Sequence, residues 1–552
     1  MATSRPTFRA WAFALAASVA AVVAYFPVLV VPYAYMDDYF LLAWRDGLGG
    51  SFFETATSFG RPLHALLLSA TFGLASDVDS LRLVRLISLI GVALLSLLLY
   101  RAFRRAGAPD WLSAGACVSV VTLASFQIYV AWAAIGEAPY VAAVAGLAWF
   151  RLHGAFGLAR RRAVAHAVQA GALLLLALLA YQPAAMFFWV FAAIDLLRPG
   201  GRLREAVRVL GAALAVAGVA MFFAYAAVRI GVHFYGGATS GRTILVHDLG
   251  SKVRWFLHEP LVNSLSLFGL APSVSVAVAV AAVAAGGLLL LHADSGWNAF
   301  AFLGLAVCLV PLSYLPNLAV AEQFASYRSI GALATLLTVY LWLGVWGIAR
   351  ARDRRVVAGA PLVSFAVLGL VVYPLARPAG TFSLSSLSHW PELVGFVALL
   401  ALFVTMLLGR RVAPAVGIAT LASFVAAGVL VAARNVTTLI VRPQASELAL
   451  LRSQLHGTTA PIVFIKPDPG HAAAPLARYD EFGLPSTYFA WVPSPAVALA
   501  WNERSRAPQP PLTVLASDQA GTAIPTGDEV VDMRTLRRHR VGWTVWTTDV
   551  DH

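Results

Sequence analysis

Charge is scarce in this chain. Only 12% of its 552 residues are Asp, Glu, Lys or Arg, while 60% are hydrophobic. With a mean hydropathy of +0.76, a soluble surface is excluded, because it would be one contiguous apolar patch. Cysteine is nearly absent. The two present, Cys117 and Cys308, fall in apolar runs, which argues against a disulfide framework or a zinc site. Lysine is equally rare: Lys252 and Lys466 stand against a basic set made otherwise of arginine, which reads as codon usage rather than function. Internal repeats, heptads and a Gly-rich phosphate loop are also lacking. The formal net charge of +13 does not point to nucleic acid, since the basic residues sit in short clusters between apolar runs.

Long apolar runs are what the chain has, many of about 18–25 residues, which makes it a polytopic membrane protein rather than a signal peptide followed by a globule. Spans are expected near 10–32, 81–100, 111–134, 136–152, 164–180, 184–197, 207–231, 272–292, 298–316, 328–349, 357–376, 392–409 and 413–433. The run from 164 to 197 is too long for one helix, roughly 50 Å against a hydrocarbon core of about 30 Å. Pro183 in "YQP" breaks it into two short helices that meet at the outer face. From a cytosolic N-terminus, the alternation puts Arg101, Arg104 and Arg105 inside. It does the same for Arg151 and Arg160–Arg162, Arg198–Arg208, Arg350–Arg355, and Arg410 with Arg411. The inner loop "HADSG" at 292–296 carries no basic residue and is the exception.

The fold class expected is therefore all-α and polytopic, with about 13 transmembrane helices and a small α/β extracytoplasmic domain at the C-terminus. The membrane domain is assigned to 1–434, with long outer loops at 33–80 and 232–271 that lie on the membrane surface as amphipathic helices. Residues 435–552 are assigned to the soluble domain, with a helix in "QASELALLRSQL" and strands in "PIVFIK", "LTVLAS" and "VGWTVWTT".

Two adjacent carboxylates, Asp37 and Asp38, follow the first span in "YMDDYF", among Tyr33, Tyr35, Tyr39 and Phe40. Like charges repel, so one is expected to have a raised pKa and act as a general base; alternatively, both bind a divalent cation, Mg or Mn. The competing reading is a helix end reaching water. Further along the same loop, "GRPL" holds Arg61 between Gly60 and Pro62.

An acidic pair in the first outer loop followed by "GRP" resembles the GT-C superfamily of integral membrane glycosyltransferases, and most closely bacterial enzymes of the O-antigen glucosyltransferase and protein mannosyltransferase type. "AYQPAAMFF" at 180–188, "SYRS" at 326–329 and "DEFGLPS" at 480–486 resemble stretches in those chains. The resemblance implies a polyprenyl-phosphate-linked sugar as donor and a glycan, lipid or protein as acceptor. It implies transfer at the extracytoplasmic face of the bacterial inner membrane; the charge alternation over an odd number of spans puts the N-terminus inside and the C-terminus outside. The family's first-loop aspartate maps onto Asp37 or Asp38, with Asp37 preferred. No later acidic-x-acidic motif is present, which puts metal dependence in doubt.

Such a reaction needs a carboxylate to take the acceptor proton and cations to hold the departing phosphate. Arg328, Arg61 and Arg85 are the donor-phosphate candidates, with Arg82 on the same helical face as Arg85. Snorkelling to lipid phosphate competes for each. Glu137, Glu322 and Gln182 are candidates for binding sugar hydroxyls. His64, His233, His247 and His258 lack metal-ligand spacing and read as interfacial packing. A transporter or flippase of lipid-linked saccharides, or a polysaccharide polymerase or ligase, is the alternative. A transporter should show mid-span charges and repeats, and neither is visible.

Overall fold

The computed structural model describes residues 8–45, 50–235, 242, 244–270, 274–351, 413–473, 481–505, 507–521, 527–540 and 546–550. Because lipid offers a backbone no hydrogen-bond partners, the apolar runs close their own ladders as helices. Among the described residues, six helices are long and apolar enough to cross a membrane: Leu81–Arg105, Ala133–Ala155, Arg160–Ala180, Leu203–Tyr235, Gly331–Arg350 and Leu421–Gln454. The pair Asp110–Val121 and Ala124–Ala131, bent by 61°, makes up to seven. Phe8–Tyr25, Val274–Leu291 and Asn298–Leu312 are further apolar helices where spans were expected. The expected spans at 357–376 and 392–409 lie outside the described residues, so the total of 13 is untested.

Gly331–Arg350 is the central helix, with 94% of its apolar window buried. Val274–Leu291 crosses it at glycines. A Cβ on Gly287 would run into the Gly344 backbone, and one on Gly347 into the carbonyl of Gly287. Small residues at such a crossing let two backbones approach closely where no aqueous hydrophobic drive exists between helices. The break expected at "YQP" is present: Arg160–Ala180 stops at Tyr181, in extended conformation, and the chain restarts as Gln182–Ala185 and Phe187–Leu196.

The loop 33–80 folds as three helices, Asp37–Arg45, Gly50–Ser58 and Pro62–Phe72. In the second long loop, Leu249–His258 is capped by Asp248, which accepts from Ser251 N. A two-residue bridge, Leu245 with Val320, ties this loop to the segment before Gly331.

The boundary assigned between 434 and 435 falls inside continuous helix. Ala413–Val436 runs through a π-turn at Thr437–Val441 into Arg442–Gln454. Arg434 and Asn435 end the apolar periodicity without ending the backbone ladder. Beyond it, strand Ile462–Ile465 lies between Leu512–Leu515 and Glu529–Asp532, all parallel. Leu536–Arg540 pairs antiparallel with Trp546–Val550. The helix and three strands expected here are present, and two more strands join them.

Candidate active site

Segments from the two long loops and from other connections between helices enclose a cavity of about 740 Å³, within the ~300–1,000 Å³ usual for small-molecule sites. Asp37, Arg61, Gln182, Glu322 and Arg328, separated by up to 291 residues in sequence, all line it. So do His64, Tyr181, Arg242 and Trp491. The lining also includes the apolar side chains Phe52, Phe59, Leu178, Met221, Phe222 and Val228. Phe222 belongs to Leu203–Tyr235, a helix largely exposed on its outer face. The cavity therefore joins arginines with apolar side chains.

Arg61 is held by its loop. Gly60 adopts φ +71°, a left-handed conformation open to glycine, and a Cβ there would meet Val228. Gln182 then fixes the arginine: Arg61 Nε donates to Gln182 Oε1 at 2.6 Å, and Gln182 Nε2 donates to the Gly60 carbonyl at 3.1 Å. The Arg61 guanidinium lies 5.0 Å from the Tyr181 ring. Gln182, expected to bind sugar, is thus committed to the "GRP" turn.

Arg328 lies in the turn ahead of Gly331–Arg350. Its guanidinium packs 4.5 Å from the Trp132 ring, and Nε is 3.4 Å from Glu481 Oε1. The side chain keeps 24% exposure. Glu481 itself is buried. It accepts from Tyr327 N at 2.5 Å and Arg328 N at 3.3 Å. Burial pushes its carboxyl up to about 7, with Arg328 and the two N–H groups pulling the other way.

The two adjacent aspartates part company. Met36, at φ +47°, turns the chain so that Asp37 faces the cavity while Asp38 points into protein. Asp38 is 0% exposed and pairs with Arg85, also 0% exposed, at 3.0 Å. It further accepts from Ala134 N at 3.0 Å and Tyr35 N at 3.1 Å. Burial pushes the Asp38 carboxyl up to about 6, against Arg85 and these donors. Arg85 also donates to the carbonyls of Tyr33 and Ala131 and stacks 3.6 Å from the Tyr33 ring. Arg85, expected to hold donor phosphate, is not in the cavity lining, and Arg82, three residues before it, is exposed. Arg85 staples the first loop to the turn at Ala133–Ile135.

Asp37 accepts one hydrogen bond, from Trp491 Nε1 at 3.0 Å. Burial raises its carboxyl above the ordinary range; Arg328, Trp491, His64 and Arg242 oppose this in that order. Glu322, the other carboxylate in the lining, is taken by Arg242 at 2.8 Å. Glu137 is buried behind His64, with Nδ1 and Oε1 2.7 Å apart. Glu137, expected to bind sugar hydroxyls, is not in the lining and touches His64, which is.

A divalent cation shared by Asp37 and Asp38 does not fit these atoms, because both Asp38 oxygens already accept from protein donors. Among the described residues, no group of three His, Cys, Asp or Glu side chains is placed to hold a metal. Sequence reasoning missed Arg242 and Trp491 and assigned His64 to packing. Glu481 lies in the "DEFGLPS" resemblance but carried no role there.

The described chain is thus a polytopic helical membrane protein with an amphiphilic, arginine-lined cavity. No family model matches it, and no curated protein matches it. Among solved structures it is similar to ArnT from Cupriavidus metallidurans in the apo state, at 13% identity and TM-score 0.40. It is also similar to the same protein bound to undecaprenyl phosphate, at 14% identity and TM-score 0.43. Each alignment covers 92% of this chain and 86% of the other. Likeness at this level is too distant to assign a function.

Proposed function

We propose that this chain is a GT-C-type membrane glycosyltransferase that moves a sugar from a polyprenyl-phosphate donor to an acceptor hydroxyl at the extracytoplasmic face. One observation carries the reading. Of the two carboxylates in the cavity lining, Asp37 alone has no ion-pair partner among the described residues, and it faces a wall with Arg61, Arg242 and Arg328.

In the proposed step, Asp37 takes the acceptor hydroxyl proton as the oxygen attacks the anomeric carbon. The bond from that carbon to the phosphate oxygen breaks, and the phosphate leaves with the electron pair. Arg328 and Arg61 hold the developing charge, which is where fixed cations lower the barrier most. Attack and departure on opposite faces invert the anomeric centre. The apolar side chains of the lining suit the first isoprene units. A raised carboxyl pKa brings Asp37 closer to working pH, as a base requires. The acceptor is a glycan, lipid or protein of the cell envelope.

The test is transfer by purified protein in vesicles, from radiolabelled polyprenyl-phosphate sugars to candidate acceptors. Asp37→Asn is expected to reduce turnover by roughly 10²-fold or more. Arg328→Ala is expected to raise the apparent donor KM or abolish turnover. An Asp37→Asn protein that transfers at the wild-type rate refutes the mechanism, and lipid-linked saccharide moved across the bilayer without transfer favours the flippase.

A further inference from the structure

Residues 481–491 begin 27 positions after the helix Arg442–Gln454 ends, yet they return to the cavity. They touch the segments around Asp37 and Arg328, two of its lining residues. Glu481 takes the backbone N–H groups of Tyr327 and Arg328 and pairs with the Arg328 side chain, while its own carbonyl accepts from Tyr35 Oη at 2.5 Å. Ser486 Oγ accepts from Met36 N at 2.8 Å, at the residue whose left-handed turn separates the two aspartates. Phe482 packs edge-on to Tyr327 at 5.4 Å. Trp491 then donates to Asp37.

We infer that the C-terminal region completes the active site, with Glu481 as positioning residue for Arg328 and Trp491 as positioning residue for Asp37. The inference rests on the roles given above to Asp37 and Arg328. Arg328 is clamped between the Trp132 ring and a buried carboxylate, so its guanidinium is ordered before the donor arrives. Such a clamp removes rotamer freedom that a long side chain would otherwise lose on binding. Trp491 donates a hydrogen bond that strengthens when Asp37 is ionised, so it favours the form that accepts a proton.

The charged groups around Asp37 come from four directions. Arg328 approaches from the turn before Gly331–Arg350, His64 from Pro62–Phe72, Arg242 from the second long loop, and Asp38 from the same helix. Glu481, Glu137 and Glu322 stand behind the first three. Removing one neutral donor leaves that charge set unchanged, which isolates the effect of the indole.

Trp491→Phe keeps an aromatic ring and deletes the N–H. The acid limb of kcat at saturating donor, which the Glu481 effect on KM does not enter, is expected to move up by about half to one pH unit, the worth of one hydrogen bond at ~1.4 kcal/mol per unit. The rate on the plateau should change little. Glu481→Gln keeps an acceptor for one of the two backbone N–H groups but lets go of the guanidinium. The apparent donor KM is expected to rise about tenfold with a smaller change in kcat, and Glu481→Asp to recover part of it. Melting of each purified variant is measured alongside.

Asp37→Asn and Arg328→Ala are run in the same assay. If those two keep wild-type kinetics, the underlying reading fails. If they are impaired while Trp491→Phe keeps its acid limb and Glu481→Gln its KM, the inference is overturned. A uniform loss of kcat with an unshifted limb and a lowered melting temperature also overturns it, since that is what a merely structural contact would give.

Discussion

Asp38→Ala is expected to unfold the site rather than disable its chemistry. Asp38 is the acceptor for three donors: the Arg85 guanidinium and the N–H groups of Tyr35 and Ala134. Neither Asp38 nor Arg85 has any exposed surface, so water cannot replace the lost partner. Breaking a buried ion pair from one side costs about 3–5 kcal/mol, because the remaining charge stays buried and unpaired. Each orphaned buried N–H adds on the order of 1 kcal/mol. The total is comparable to a large share of a typical protein's net stability. Asp37→Asn, at the cavity wall with one hydrogen bond, should cost little stability and most of the turnover.

The assay is thermal unfolding of purified protein in fixed detergent and lipid, with transfer measured per folded molecule. Asp38→Asn should melt below wild type, since an amide can accept from one backbone N–H but offers Arg85 no charge. Arg85→Met in the same chain should recover part of the stability, because the unpaired charge is gone and the amide still accepts from one backbone N–H, although the Tyr33 and Ala131 carbonyls lose their donor. An Asp38→Ala protein that melts like wild type and has lost turnover would put Asp38 in the chemistry and refute the reasoning.

Arg328→Lys should restore turnover only in part relative to Arg328→Ala, because an ammonium cannot reproduce the planar fork between Trp132 and Glu481; donor KM measures it. Gly60→Ala should cost about 1–2 kcal/mol from the left-handed backbone alone, and more from the collision with Val228, read as a lowered melting temperature with weaker donor binding. Lowering pH through about 7 should raise the donor KM of wild type, since the Glu481 carboxyl is pushed up to about that value and its neutral form lets go of Arg328; Glu481→Gln should lack this dependence. Alkaline phosphatase fused after residue 445 should be active and fused after Arg355 inactive, and the reverse would sink the proposed orientation.

Much of the membrane part is legible in the sequence because one physical rule governs it: an apolar run in lipid becomes a helix. The break at Tyr181 and the three helices of the loop 33–80 follow from Pro183 and from the change in hydropathy. Continuous helix across the expected boundary at 434/435 is not legible, because hydropathy reports side chains. The helix through Thr437–Val441 continues after its side chains turn polar. Within the site, Asp37, Arg61 and Arg328 are legible as charges at span ends. What separates Asp37 from Asp38 is the backbone of Met36, which no composition or spacing encodes. Trp491 was missed because its contact with Asp37 spans 454 residues and lies outside any local pattern. Glu481, a carboxylate next to Phe482 and Gly483 in an aromatic stretch, was the one signal available.

The cavity also bears on the topology, although no membrane is present. If span count and charge are right, the connections at 33–80, 132–137, 181–183, 232–271 and 313–330 share one side of the bilayer. Each of the first, third, fourth and fifth contributes residues to the lining, and Ala134 and Ile135 come from the second. The arginine-rich turns gather elsewhere: Arg105 stacks on Phe150, Arg208 on Phe156, and His292 of the arginine-free turn reaches the Leu197 carbonyl. A wrong parity at any span between 81 and 330 would have sent a lining segment to the opposite end of the bundle. The contacts among the basic turns are those the positive-inside reading expects, and His292 sets the turn "HADSG" beside Leu197, next to Arg198.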